Sequence, residues 1–555
     1  MSRTARGIHF GDWYDTTAGG PIGMADWNDG YVSDVAYVSG YHAETAPVWL
    51  ATTLTLLGVA PPDISRPFRY ADLGCGNGVT PLVVAAAMPH AEVWGFDFNP
   101  AHVEAGRDVA RRAGLTNVRF EEASFDGLAS LAPADLPMFE YISAHGVLSW
   151  ISLENRRRLF TVIGQRLAPG GIVSASYNVG TGWTGMRPVR TLMRLLVEAS
   201  PDRTDLAAAG MFAMLEKIKG AGAAMFATHP ALNARIEMFR TQDPRYVAHE
   251  LLNRDWHPLM FPEVAAAMAG IKCDYVGGAT LHDNIVGLTV PAGLQEMFGQ
   301  SRETRSREMV RDLACGASFR RDMYQRGARR MSPMEHGRRM NAMRLTRTAR
   351  PVPETIVLNT SLGQFTPDQT LYRAVLDILN DGPMTIGEVR GHASLSGWIP
   401  AAVPEALGML LQAGFVAPLA PEPVATEAVA ASARLNQVHA ALFDDGYDRP
   451  FLVCPALGAA QGADPLDILA LDEMRTQGTI DEAPLIEAIA ARVARYGRGF
   501  QKEGKAIEDP AEMRAHVTTM VRDLLSRRLP AMRRFGVLGS GHPGPRLADR
   551  AVQAS

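Results

Sequence analysis

Cysteine is scarce in this chain. The four cysteines, Cys75, Cys273, Cys315 and Cys454, never form a Cys-x-x-Cys pair, which excludes a disulfide framework and removes the usual thiolate metal cluster. No apolar run approaches the roughly 20 residues that span a bilayer. The nearest stretch, MLEKIKGAGAAMFA (214–227), is broken by charges and glycines. The opening residues, MSRTARGIHFGDWYD, lack the apolar segment of a signal peptide, so a cytoplasmic location is expected. Neither sign of charge dominates: 55 basic and 59 acidic residues leave a net charge of −4, with no electrostatic bias toward nucleic acid or anionic membranes. What remains is an ordinary globular composition, 47% hydrophobic and 21% charged, in 555 residues. That length exceeds one hydrophobic core, so two to four domains are expected.

The informative stretch is YADLGCGNGVTPLVVAAAMPHAEVWGFDFNP (70–100). Residues 69–73 read as a short buried strand, GCGNG as a bare loop, and 79–88 as a helix with Pro81 tolerated in its first turn. Residues 91–96 read as a second strand with Asp97 at its carboxyl end. Strand, glycine loop, helix and strand make the first half of a doubly wound α/β sheet, whose ligands lie beyond the carboxyl ends of the strands. A dinucleotide loop has the form G-x-G-x-x-G. Here Gly74 and Gly76 are followed by Gly78 and then Val79, one residue early for that pattern.

The spacing D-x-G-x-G-x-G, Asp72 to Gly78, instead resembles the S-adenosylmethionine loop of class I methyltransferases. The resemblance implies S-adenosyl-L-methionine as cofactor and S-adenosyl-L-homocysteine as product, held by Asp72, Gly74, Cys75, Gly76, Asn77 and Gly78. Asp72 would receive the ammonium, and Asp97, followed by Phe98, the ribose hydroxyls. The later strands follow in order: 117–125, 138 onward, and 167–178. Many class I members end strand three in an acid that reads adenine; here Ser124 stands there, leaving Ser124 and Phe125 to contact the base through their backbone. Tyr37, Tyr41 and His145 complete the expected cofactor set.

Further stretches, DWNDGYVSDVAYVSGYHAETAP (26–47), HGVLSWISLENRRR (145–158), SYNVGTGW (176–183), DPRYVAHELLNRDWHP (243–258) and FRRDMYQRG (319–327), resemble bacterial class I methyltransferases with a methyltransferase regulatory domain. That group includes lysine methyltransferases acting on outer-membrane proteins. At Ser39-Gly40-Tyr41 the chain departs from the Ser-x-Pro-Phe pattern of the lysine-modifying members. The expected fold is α/β, a Rossmann-like class I methyltransferase sheet with a helical insert and a mainly helical C-terminal region. The expected divisions are an aromatic N-terminal lid (1–60), the methyltransferase core (61–204), a regulatory helical insert (205–271), the end of the sheet (272–333), a winged-helix-like module (334–430) and a helical region (431–555). In the winged-helix-like stretch, the helix expected at 401–413 carries one acid, Glu405, and no Lys or Arg. No nucleic-acid partner is therefore expected. HELLN from His249 lacks the second histidine of a zinc helix, because Asn253 stands there, and no metal is expected. His249 and Glu250 are expected to bond across the interface between insert and core.

Methyl transfer needs alignment and a dry site. The loops after strands four and five should supply it: His145 and Trp150 from the first, Tyr177, Asn178 and Trp183 from the second. Tyr37, Tyr41 and His42 would come from the aromatic N-terminal segment. The expected catalytic set is Tyr37, His145, Tyr177, Asn178 and Trp183. The expected acceptor is a nitrogen or oxygen nucleophile, foremost a protein lysine. A small-molecule acceptor, or a cofactor-binding regulator without turnover, stays open.

Overall fold

The computed structural model describes residues 30–538, apart from 33, 36–39, 201, 446–450, 479, 497–500, 503–504 and 508. Its centre is a seven-stranded sheet of β1 (Phe68–Leu73), β2 (Ala91–Asp97), β3 (Val118–Glu122), β4 (Phe139–Ala144), β5 (Leu167–Asn178), β6 (Cys273–Gly278) and β7 (Phe319–Arg326). The order is β3-β2-β1-β4-β5-β7-β6. Strands β1 to β5 run parallel, and β7 lies antiparallel between β5 and β6. The crossovers leave β1 in opposite directions toward β2 and β4, which opens a crevice at the carboxyl ends of these strands.

The strand expected over 117–125 stops at Glu122, because Ser124 caps the helix Phe125–Ser130 by accepting the Gly127 N–H. Within the stretch expected to end the sheet, residues 319–326 form its last strand in chain order. The helix Pro47–Leu56 belongs to the core, with Leu50 and Leu54 fully buried, so the covering N-terminal segment ends before it.

The helix Val79–Ala87 has no polar face, and all nine of its residues are buried. A helix on the outside of a sheet normally keeps one wet side. This one is roofed by the helix Thr426–Asp444, whose Leu435, Val438 and Leu442 join the same apolar cluster, with Phe451 and Val453 from the next strand. The apolar run VTPLVVAAA thus marks where the C-terminal region docks.

Two other units frame the sheet. Helices at 187–198, 204–220, 230–240 and 244–251 form the insert. Their apolar cluster includes Trp183, Phe239, Val247 and Trp256, together with Val32 and Val35 of the N-terminal segment. A second unit contains β8 (Arg344–Arg347), β9 (Leu358–Thr360), β10 (Gly363–Phe365), β11 (Met384–Thr385) and β12 (Val416–Pro418) with helices at 369–378, 386–390 and 402–412. Its strands β11, β8 and β12 form a three-stranded antiparallel sheet. The helix Ala402–Gln412 packs inward: Val403 and residues 406–411 are buried. Gln412 accepts the Leu281 N–H and donates to Glu44 of the core.

Candidate active site

A cavity of roughly 1000 Å³, its open mouth included, lies beyond the carboxyl ends of β1, β2 and β4. Its floor is the glycine loop. Gly74, Gly76 and Gly78 all have left-handed backbone, with φ of +82°, +53° and +73°. A Cβ at Gly74 would sit 2.5 Å from Val147, and one at Gly78 would sit 2.3 Å from the Phe120 ring. At Gly76 nothing lies within 4 Å. Two glycines are therefore needed for close packing as well as for φ, and one for φ alone.

The second acid ties this loop down. Asp97 Oδ2 accepts the Gly76 N–H at 2.8 Å, while Oδ1 accepts the Asn99 N–H at 3.0 Å and faces His102 Nδ1 at 3.1 Å. Asp72, at the end of β1, is buried. Burial, reinforced by the charge of Asp97, pushes its carboxyl up to about 7. A carboxylate so placed is stabilised by any cation that enters.

The opposite wall carries two histidines. His145 follows β4, and Ser176 of β5 pins its ring: the Ser176 hydroxyl meets His145 Nδ1 at 3.0 Å and accepts the Gly146 N–H at 2.8 Å. The His42 ring lies against it, with centroids 3.9 Å apart and planes tilted by 34°. His42 keeps an exposed edge at the mouth; the protein atoms packed around its ring, then the charge of Arg321, lower it to about 4. Burial, then His42 and Arg321, holds His145 well below the ordinary histidine value. Both rings are neutral at pH 7.

Of the expected cofactor residues, Asp72, Gly74, Cys75, Gly76, Asn77, Asp97, Phe98, Phe125 and His145 line the cavity. Ser124 lines an adjoining recess with Phe98, Phe125 and Ile151. Gly78 lies just behind, donating to the Cys75 carbonyl. Tyr41 does not line the cavity: its ring packs on Phe451 at 5.8 Å, in the antiparallel hairpin of strands 451–454 and 459–462 near the C-terminal end, which partly buries it. Tyr37 lies outside the described residues.

Three of the expected catalytic residues are framework. The Tyr177 hydroxyl is buried and donates to Asp322 at 2.5 Å. Asn178 donates to Glu250 at 2.8 Å. Trp183 donates to the Ser318 carbonyl and sits in the insert core under Arg235. The physical reason is alternation. β5 is covered on both faces, so its end residues Tyr177 and Asn178 are both buried rather than directed to the mouth.

The segment 249–254 links the pieces. His249 Nε2 meets the Val35 carbonyl at 2.9 Å, Asn253 Oδ1 accepts the Val32 N–H at 2.8 Å, and Arg254 N–H donates to the Gly30 carbonyl. On the core side Glu250 accepts from Asn178, and its carbonyl accepts from Trp150 Nε1. The bond expected across the interface between insert and core is present for Glu250, whereas His249 bonds to the N-terminal segment. Tyr31, held between these contacts, lines the cavity and meets Phe98 edge-on at 5.8 Å. Among the described residues no group of three or more His, Cys, Asp or Glu is placed to hold a metal.

The sequence reading missed His102, Thr45 and Tyr31 as lining residues. His102 was findable: it stands five residues after Asp97, in the first turn of the helix Pro100–Arg112 that starts where β2 ends. Tyr31 and Thr45 had no local signal, since distant segments place them.

Residues 71–171 match the family model described as "Methyltransferase domain". Residues 243–326 match "Predicted methyltransferase regulatory domain", a range that shares only 243–271 with the helical insert expected at 205–271. A Synechocystis sp. relative, "Uncharacterized protein sll1526", is 30% identical over 517 residues, covering 92% of this chain and 99% of its own. Trans-aconitate 2-methyltransferase of Methylobacterium nodulans is 30% identical over 186 residues, covering 34% of this chain and 61% of its own. PKMT2 from Rickettsia typhi, solved in complex with AdoHcy, has the same fold: the TM-score is 0.68 at 20% identity, over 90% of this chain and 99% of that one. With both domains matched in order and a relative matched along its whole length, the chain belongs to the class I S-adenosylmethionine-dependent methyltransferases that carry a methyltransferase regulatory domain.

Proposed function

We propose that the cavity binds S-adenosylmethionine and that the protein methylates the amine of a protein lysine. One observation carries the cofactor half of the reading: two buried acids, Asp72 and Asp97, flank a glycine loop whose Gly76 N–H is bonded to the second acid. Asp72 supplies a carboxylate for the amino-acid tail, and the gain is largest where burial has raised its cost of ionisation. Asp97 uses part of its acceptor capacity on backbone N–H groups and keeps the rest for ribose hydroxyls. Tyr31, Phe98, Phe125 and Ile151 supply flat apolar surface for the base.

When bound, the cofactor supplies an electrophilic methyl on a sulfonium that departs as a neutral thioether. The chain's own residues align the nucleophile and keep water out. Tyr31 and Trp150, both anchored by the segment 249–254, close the cavity from the insert side. The lysine reading is supported by the resemblance to bacterial lysine methyltransferases and by an acceptor end built from neutral rings. A small-molecule acceptor is the second reading, favoured by the likeness of the core to trans-aconitate 2-methyltransferases. The inward packing of the helix Ala402–Gln412 supports a scaffolding role for the winged-helix-like unit rather than DNA binding.

The test is incubation of the full chain with methyl-labelled S-adenosylmethionine and a bacterial lysate, followed by size fractionation and peptide mass spectrometry. Label on methyllysine in a macromolecular fraction is expected. Label confined to metabolites contradicts the lysine half and leaves the cofactor half standing; no transfer at all contradicts the methylation half, and failure to bind S-adenosylhomocysteine contradicts the cofactor half.

A further inference from the structure

The stacked histidines stand at the mouth of the central strand, and their contacts decide what they can receive. His145 Nδ1 is taken by the Ser176 hydroxyl, whose oxygen also accepts the Gly146 N–H. Among the described residues Nε2 has no hydrogen-bond partner, and it is an acceptor in the tautomer whose Nδ1–H donates to Ser176. The backbone of His42 is fixed by Thr45, whose hydroxyl donates to the His42 carbonyl at 2.8 Å. The Phe319 ring meets His145 edge-on at 6.2 Å, and the Arg321 guanidinium lies over the Phe319 ring at 4.8 Å.

The charged groups around the pair come from every neighbouring element. Arg321 of β7 is paired with Glu44 at 2.6 Å. Glu44 Oε1 also accepts from Thr280 and Gln412, so its charge is already shared between a guanidinium and two neutral donors. Asp72 and Asp97 line the cavity at the glycine loop, and His102 is held against Asp97. Among the described residues the rings face a guanidinium on one side, and the carboxylates that line the cavity, Asp72 and Asp97, stand at the glycine loop. Two imidazoles at 3.9 Å cannot both carry charge without strong repulsion. An ammonium arriving there would meet the positive side of the pair and no carboxylate beside it among the described residues, whereas an uncharged amine has an N–H to donate and a lone pair to turn toward the cofactor.

We infer that His42 and His145 form the acceptor-binding end of the cavity and take the attacking amine in its uncharged form, a ring nitrogen of the pair receiving an N–H from it. The inference rests on the reading of the cavity as a methyl-transfer site. It deepens that reading by naming what strips the lysine of its charge: exclusion of the ammonium at binding, with the proton left to solvent. The pair positions the amine and does not act as the base, since neutral rings held this far below the amine's own range are poor proton acceptors.

The test uses the full chain and two analogues of S-adenosylhomocysteine in which nitrogen replaces sulfur and carries a short arm, one ending in an amine and the other in a methyl group. Calorimetry gives the affinity ratio of amine arm to methyl arm, so contributions from Asp72, Asp97 and the nitrogen cancel. The expected ratio rises by close to tenfold per pH unit between about 6 and 9, because a free alkylamine with reference pKa about 10.4 must shed its proton to bind. His145→Phe keeps a ring of the same shape and should lower the ratio about tenfold, the effect of one lost hydrogen bond. His145→Gln, whose amide oxygen can accept the same N–H, should restore part of it. Any change in the affinity of the shared cofactor portion cancels in the ratio taken within each variant, and circular dichroism checks that both variants fold. A ratio flat with pH, or one untouched by His145→Phe, overturns the inference while leaving the cofactor reading intact. Failure of wild type to bind S-adenosylhomocysteine overturns the cofactor reading itself.

Discussion

At the glycine-loop end of the cavity nearly every contact comes from one stretch of chain, residues 72–102, whereas the other end gathers His42, His145, Ser176 and Arg321 from four segments. The first end is a local device: a strand, a turn that only glycine can make, and a second strand whose terminal acid bonds back to the turn. The second end exists only after the N-terminal segment, two sheet strands and β7 have come together. Cofactor chemistry is thus written in short range and acceptor chemistry in long range. A local device should fail sharply under single substitutions, and a gathered one should fail by degrees.

The largest effect is expected at Asp97. Asp97→Ala removes the acceptor of the Gly76 and Asn99 N–H groups along with the acid left for ribose. Charge-assisted bonds of this kind contribute about 1.5–3 kcal/mol each, so calorimetry should show S-adenosylhomocysteine binding weakened about a hundredfold or more. Unchanged affinity would break the comparison, because the loop would then stand without its tether.

Next come the glycines, which sharpen it. Gly78→Ala meets the Phe120 ring at 2.3 Å and adopts φ +73°, whereas Gly76→Ala has open space and only φ to bear. Thermal denaturation should show a loss of about 1 kcal/mol for Gly76→Ala, from backbone strain, and clearly more for Gly78→Ala. Equal losses would mean that φ alone matters.

A smaller effect concerns pH. Asp72 is raised to about 7 from an ordinary carboxyl value near 3.8. The unfolded chain therefore releases this proton first, and the free protein loses stability as pH rises from about 4 toward 7. A ligand ammonium needs the ionised form, so S-adenosylmethionine affinity should fall as pH drops through about 7, by up to tenfold per unit. Asp72→Asn should flatten both profiles and bind more weakly at pH 8. A wild-type affinity flat from pH 6 to 8 would contradict the assignment.

The contrast also explains what was legible. The sheet through β5, the loop and both acids could be read because their signals are local: apolar runs, glycine spacing, an acid at a strand end. Ser124 was placed at the right strand end, but a helix cap rather than a longer strand decides its contacts. Tyr41, Tyr177 and Trp183 were misjudged for one reason. An aromatic near a functional loop reads the same whether it faces the cavity or a neighbouring unit, and here the C-terminal hairpin, Asp322 and the insert claim them. The role of 249–254 as a clamp on Tyr31 and Trp150 was half visible in HELLN, whose interface bonds were expected but whose targets at residues 30–35 were not.

The smallest effect on cofactor binding is expected at that clamp. Asn253→Ala removes the acceptor of the buried Val32 N–H and a donor to the His249 carbonyl, a loss of about 1–3 kcal/mol. Stopped-flow displacement of S-adenosylhomocysteine should show release accelerated several-fold, with a modest fall in the melting temperature. No change in release would mean that Tyr31 covers the cavity without the clamp.

The central claim is that the loop between Asp72 and Asp97 is built for S-adenosylmethionine and not for a dinucleotide. Isothermal titration of the wild-type chain with S-adenosylhomocysteine and, separately, with NAD tests it directly. The account predicts saturable one-to-one binding of S-adenosylhomocysteine and no heat with NAD; binding of NAD with no response to S-adenosylhomocysteine would contradict it.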